Sequence, residues 1–366
     1  MNLDLSKIRT TDNQTVTICR MSSHTMIADL LSYGAAIHSI HLLDGSPDPC
    51  ADRRLALSLD TVSGYLKNPL YAGATLAPNA GRISNGSLPL PQGHFSLSQN
   101  DGRHQLHGGF SNLSFCNWDI TATQKSLSSC SVTFSCRLPD GIDGYPGNRR
   151  FSVCYRLTDD NALMIRYHAE SDCPTYINMA NHTYFNLLGD YTVPVCNHRI
   201  TAAASRYTEL RPDHIPVRIA ACSGTPFDFS RPRSLKEQAK KYPCHPQLEI
   251  GHGYNHGFLL DFPCDFSGIE EGSILPRRFQ MQPSLTLEEP LSGRTMQVYT
   301  DAPCIVLYSG GFIGGDTMLE KGIPSTDFCA LAVECQDVPD TPNLAPEKMR
   351  LTTPSQPFER TILYQF

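Results

Sequence analysis

Phe151-Ser-Val-Cys-Tyr-Arg-Leu157 and, a few residues on, Ala162-Leu-Met-Ile-Arg-Tyr-His168 form the stretch whose reading decides the fold. Apolar and polar residues alternate in it, and β-branched and aromatic side chains fill it, which is the pattern of half-buried strands. Runs of the same kind recur at Val132-Thr-Phe-Ser-Cys136, Met296-Gln-Val-Tyr-Thr300, Cys304-Ile-Val-Leu-Tyr308 and Ile362-Leu-Tyr-Gln-Phe366. Between them lie turn signals such as Pro139-Asp-Gly-Ile-Asp-Gly-Tyr-Pro-Gly147, Ser292-Gly293 and Gly310-Gly311, and 26 Gly with 27 Pro leave little room for long helices. The expected fold is all-β and antiparallel. The clearest helix is short, Ser234-Leu-Lys-Glu-Gln-Ala-Lys-Lys241, opened by a serine cap and closed before Pro243. No repeat, low-complexity tract or linker divides the chain, so residues 1–366 are expected to form a single domain, with Leu43 to Arg54 and Cys264 to Pro276 as loops.

A chain of 366 residues can bury about three quarters of its unfolded surface. The formal charge of -6 and the short basic clusters, such as Lys240-Lys241, give no attraction to phosphate backbones or anionic lipid, so neither nucleic acid nor membrane is an expected partner. The N-terminus lacks a basic region followed by an apolar stretch, and no run of about 18 apolar residues occurs, so the expected location is the cytoplasm. Fourteen cysteines in a long chain, none spaced Cys-x-x-Cys, read as reduced thiols serving mostly as small buried hydrophobes.

Chemistry concentrates elsewhere. Pro174-Thr-Tyr-Ile-Asn-Met-Ala-Asn181-His182-Thr-Tyr-Phe-Asn186-Leu-Leu-Gly189 sets one histidine among amides and hydroxyls, a setting suited to a sugar. Leu331-Ala-Val-Glu334-Cys-Gln336 ends an apolar run on a carboxylate, so the two segments supply one candidate acid and one candidate base. Gly81-Arg82 offers close backbone approach and a guanidinium fork. His104-Gln-Leu-His107-Gly108-Gly109 is similar to the oxyanion loop of lipases, yet no Gly-x-Ser-x-Gly elbow supplies a nucleophile. Cys244, His245, His252 and His256 invite a zinc reading, but glycines break any helix that would align the last two, and no metal is expected.

In order and spacing these motifs resemble the aldose 1-epimerase (galactose mutarotase) family over nearly the whole chain: Gly-Arg-Ile at 81–83, Leu-His-Gly-Gly at 106–109, Asp-Gly-x-x-Gly-Tyr-Pro-Gly at 140–147, Asn-His-Thr-Tyr-Phe-Asn at 181–186, Ser205-Arg-Tyr-Thr208, Gly224-Thr-Pro-Phe-Asp-Phe229 and Glu334-x-Gln-x-x-Pro-Asp-x-Pro-Asn343. The resemblance implies a large antiparallel β-sandwich of the galactose mutarotase supersandwich type. It implies an aldose 1-epimerase that interconverts the anomers of a free aldose, with His182 as acid, Glu334 as base, and Arg82 and His107 on the sugar. No cofactor is needed, since proton transfers alone open and reclose the ring. Glu334 is expected to be ionised at neutral pH and to favour the imidazolium of His182. Asn181, Asn186, Asp340 and Asn343 are expected to support the site from behind.

The chain departs from the family at three positions. Asn255 stands where aspartate is usual, Val306 where glutamine is common, and Gly81 where asparagine usually precedes the arginine. Asn255 and Gly81 still count as substrate-binding positions, but the changes trim polar reach and point to a preference shifted from galactose or glucose. Two alternatives stand beside the mutarotase reading: a hexose-phosphate mutarotase, which would want clustered arginines, and a mutarotase-like binding or sensor protein, which would not need both His182 and Glu334. A monomer or homodimer is expected.

Overall fold

The structure is a computed structural model that describes residues 1–43, 53–266 and 281–366. The deciding stretch is a hairpin: Arg149–Thr158 and Ala162–Ser171 run antiparallel, with Val153 opposite Tyr167 and Tyr155 opposite Ile165. Phe151, Val153, Tyr155 and Leu157 are buried, whereas Arg150 is exposed. Period two sends these two sets to opposite faces, so one face must be covered.

The hairpin lies within a nine-stranded antiparallel sheet ordered Asp119–Lys125, Ser129–Leu138, Arg149–Thr158, Ala162–Ser171, Phe358–Gln365, Arg294–Thr300, Leu285–Glu289, Arg199–Ala202 and Arg233–Ser234. The late strand Phe358–Gln365 inserts between Ala162–Ser171 and Arg294–Thr300, so the C-terminal apolar run joins parts of the sheet far apart in sequence. A six-stranded sheet runs Tyr184–Phe185, Leu331–Gln336, Cys304–Tyr308, Asn255–Leu260, Ala204–Leu210 and Pro216–Ala221, and the N-terminal strands form a five-stranded sheet from Asn2–Arg9 to Arg53–Arg54. One apolar cluster takes Met21 and Ile37 from the five-stranded sheet, Val153, Ile165 and Tyr364 from the nine-stranded, and Phe258, Ile305 and Val333 from the six-stranded. The fold is a large antiparallel β-sandwich, as the sequence predicts.

The expected helix forms over Leu235–Lys241, with Ser234 accepting from the Glu237 backbone and Glu237 answering to the Ser234 backbone. Of the expected loop from Leu43 to Arg54, residues 44–52 lie outside the described residues and Arg53–Arg54 pairs as a short strand; of that from Cys264 to Pro276, residues 267–276 lie outside them. No described helix is long and apolar enough to cross a membrane. Cys19, Cys304 and Cys335 are fully buried as expected, but Cys244 is exposed, and Cys116 and Cys136 are only half-buried.

Candidate active site

Glu334 sits on Leu331–Gln336, a strand with every residue buried. A central strand covered on both faces leaves its carboxylate no route to bulk solvent except the adjoining cavity. Its Oε2 accepts from Gln336 Nε2 at 3.1 Å, and its Oε1 lies 3.5 Å from His182 Nε2.

His182 is fixed by backbone pairing. Its N–H donates to Ala74 O at 2.9 Å, and its carbonyl accepts from Gly73 N at 3.0 Å. Asn181, fully buried, donates its side-chain amide to Gly73 O at 3.0 Å, which ties the preceding residue to the same loop. Gly73 has φ +68, and a Cβ there would meet Ile37 O at 1.9 Å, so only glycine lets that loop approach. The supporting role expected of Asn181 is therefore physical. Asn186 and Asp340 support other turns: Asn186 donates to Cys329 O, and Asp340 accepts from Ser84 N.

His107 is held in the left-handed region at φ +49. Strain of that kind persists only where surroundings over-determine it. The following Gly108 and Gly109 also have positive φ, and a Cβ would strike Pro78 at 2.6 Å from the first and Asp143 at 2.5 Å from the second. His107 N–H donates to Gly81 O at 3.0 Å, and Gly81 N–H donates to His107 Nδ1 at 3.2 Å. An Nδ1 that accepts leaves the proton of a neutral imidazole on Nε2, so His107 presents a donor rather than a lone pair. This decides a metal question. His107, His182 and Glu334 place potential ligand atoms within 4.8 Å of one another, but a metal ligand needs the lone pair that the Gly81 contact denies His107. Cys244, His245, His252 and His256 join no such group among the described residues; His245 instead caps the helix Pro246–Ile250.

These groups line one cavity of about 380 Å³, together with Arg82, Gly81, Asn255 and Val306. Every predicted site residue therefore converges. Gly81 contributes space, because its N–H is committed to His107. Arg82 does not stand free: its Nε donates to Asp101 Oδ2 at 2.6 Å, and Asp101 lines the same cavity. Asn255 is half-buried, and its side-chain amide bonds to none of the described residues. Sequence reasoning missed Asp101, and it missed Tyr308, whose phenol oxygen accepts from Phe312 N at 2.9 Å and keeps its own proton for the cavity. No periodicity links Arg82 to Asp101; the pairing of Gln105 and Leu106 with Ile83 and Arg82 brings their segments together.

The electrostatics reverse an expectation. Burial pushes Glu334 up to about 8, with Arg82 opposing only in part, and burial draws His182 down to about 4. Burial also holds His107 well below the usual imidazole range. The sequence reading had Glu334 ionised and His182 shifted upward by its partner. The reason for the difference is that both groups are almost wholly withdrawn from water, and desolvation disfavours the charged form of each. Both shifts favour the uncharged forms, so the enclosed cavity favours a neutral pair over an ion pair.

A large β-sandwich whose cavity wall holds a buried histidine and a carboxylate 3.5 Å apart has the makings of an enzyme that works by acid–base chemistry on a small polar molecule. The sequence model of the family described as aldose 1-epimerase matches residues 17–365. Among curated proteins, the aldose 1-epimerase of Escherichia coli (strain K12) is 32% identical over 346 residues, covering 93% of this chain and 92% of that one. The galactose mutarotase of Bos taurus is 28% identical over 353 residues, covering 96% and 94%. Among solved structures, a galactose 1-epimerase from Lactobacillus acidophilus NCFM superposes with a TM-score of 0.83 at 25% identity, covering 100% of this chain and 98% of that one. The chain belongs to the aldose 1-epimerase family, and with it to the isomerases.

Freed from Asp101, the Arg82 fork would lose its fixed direction. Asp101→Asn is therefore expected to raise KM for the preferred sugar roughly three- to tenfold, the worth of one part-exposed charged contact, with kcat little changed. Steady-state polarimetry checks it, and a fall in kcat at constant KM would contradict the orienting role.

Proposed function

We propose that this protein is an aldose mutarotase in which His182 acts as acid and Glu334 as base on a free, non-phosphorylated sugar. The observation that carries the reading is the His182 Nε2–Glu334 Oε1 approach of 3.5 Å at the cavity wall. A cavity of about 380 Å³ lies within the span of small-molecule sites, roughly 300–1,000 Å³.

Glu334 removes the proton from the anomeric O1 while His182 protonates the ring O5, and the C1–O5 bond opens to the aldehyde. Rotation about C1–C2 presents the other carbonyl face, and reclosure returns the O5 proton to His182 and a proton to O1. The working arrangement, imidazolium beside carboxylate, is the tautomer of the resting pair. It is reached by moving the single proton from Glu334 to His182 once sugar hydroxyls and the Arg82 guanidinium solvate the carboxylate. His107, with its proton on Nε2, donates to O1 as that oxygen becomes carbonyl-like. Each positioned transfer contributes about 10²–10⁴-fold.

The hexose-phosphate alternative is not favoured. Arg103 and Arg211 both bond to Asp213, and Arg82 to Asp101, so each nearby guanidinium already has a carboxylate. The preference for a particular sugar rests on the three departures. Val306 offers no hydrogen bond where a glutamine would, and Asn255 replaces a charged acceptor by an amide, a loss of about 1 kcal/mol per hydroxyl contact.

Glu334→Gln is expected to lower kcat by at least about 10²-fold while the sugar still binds; exchange NMR with a binding titration measures both, and full activity in that variant would overturn the mechanism. Because turnover needs one proton on the pair, kcat/KM should be flat between the two titrations. It should fall below about pH 4, where His182 takes a second proton, and above about pH 8, where Glu334 loses the only one; a blank-corrected polarimetric profile tests this. On a panel of hexoses, pentoses and disaccharides, some sugar other than galactose or glucose should turn over fastest. Fastest turnover on free galactose would sink the shifted preference without touching the mechanism.

A further inference from the structure

Two thiols outside the sugar cavity stand closer together than their positions in the chain would suggest. Cys116 ends the short turn Leu113–Phe115, and Cys136 lies on the strand Ser129–Leu138. Their sulfurs are 3.5 Å apart, and both residues are half-buried, so a small oxidant has access. A disulfide bond of about 2.0 Å asks each sulfur to move by roughly 1 Å or less, within the reach of side-chain rotation.

We propose that Cys116 and Cys136 are a dithiol site that closes to a reversible disulfide when it meets a low-molecular-weight disulfide such as oxidised glutathione. In the step, the Cys136 thiolate attacks one sulfur of the oxidant, forms a mixed disulfide and releases one glutathione thiolate. Cys116 then loses its proton and attacks the Cys136 sulfur, expelling the second glutathione thiolate. Two protein thiols are oxidised and one external disulfide is reduced to two thiols. The contact between the two sulfurs draws Cys136 below the usual thiol range and pushes Cys116 up, which favours Cys136 as the attacker.

What the bond would fix is the underside of the catalytic wall. The turn that Cys116 ends donates Leu113 N to Ala77 O at 2.9 Å, and Ser114 Oγ to Thr75 O at 2.9 Å. The Phe115 ring packs 5.1 Å from Tyr71, and Tyr71 packs 4.7 Å from His107. Closing the loop between positions 116 and 136 removes freedom from the unfolded chain while leaving these contacts where they are. The site does not depend on the sugar chemistry.

The test incubates the full chain with oxidised glutathione, then alkylates and maps peptides. The expected result is a linked peptide pair holding Cys116 and Cys136, a melting temperature raised by about 4 °C, unchanged turnover, and full reversal by dithiothreitol. Cys116→Ser should keep turnover and lose the oxidant-dependent rise. If that variant does not fold, the wild-type peptide map decides alone. Free alkylation of both thiols in the presence of the oxidant, a persistent glutathione adduct at Cys136, or linkage to any other cysteine would each overturn the proposal.

Discussion

The site depends on one constraint: a carboxylate and an imidazole enclosed together, 3.5 Å apart and withdrawn from water. A carboxylate alone on a fully buried strand would cost several kcal/mol to ionise, and a buried imidazole alone would stay neutral. Placed 3.5 Å apart, each supplies what the other lacks, since moving one proton turns a neutral pair into an ion pair without changing its net charge. An arrangement of that kind is poised for a reaction that removes a proton at one atom and delivers one at another. It also explains the architecture around it. Glu334 comes from the interior of the six-stranded sheet, and His182 is fastened by two backbone hydrogen bonds and the buried amide of Asn181.

The same economy of placement governs His107. Its left-handed backbone, the two positive-φ glycines after it and the Gly81 N–H on its ring act together to fix a tautomer as well as a position. Replacing Gly81 would put a Cβ 3.0 Å from Gln336 Oε1, close to the amide that donates to Glu334. One residue thus touches the settings of both His107 and Glu334.

How far the sequence could be read follows from the range of each interaction. Strands were legible at Phe151 to His168 because a period of two is local, and the helix after Ser234 because a capping box spans four residues. His182, Glu334, His107 and Arg82 were legible through motif order. Asp101 was not, because the ion pair joins residues on segments whose register only the fold sets. Nor were the directions in which burial shifts Glu334 and His182. Reference pKa values describe groups in water, and the sign of each shift here is fixed by how completely the two residues are enclosed, which no local pattern encodes.

The sheet geometry relates two of the departures from the family, Val306 and Asn255. Val306 is the cross-strand neighbour of Glu334, and Gly257 is the neighbour of Val306 on the next strand, with Thr208 Oγ1 accepting from Gly257 N. Neighbouring strands lie about 4.8 Å apart. The row beside the base therefore reads carboxylate, isopropyl, hydrogen, hydroxyl, and for two strand spacings it offers no side-chain hydrogen bond. The next row along carries Tyr308 opposite Asn255, where polarity resumes. On the proposed mechanism, a sugar with its anomeric oxygen on Glu334 that extends across the six-stranded sheet meets Val306 and then Gly257. A hydroxyl there would be desolvated without a partner, at a cost of about 1–3 kcal/mol, whereas a C–H face or an apolar substituent would lose nothing. On the proposed mechanism, the strand register that places Glu334 also places Val306 beside it, so a change at Val306 would bear on which sugar fits and leave the acid and base where they are.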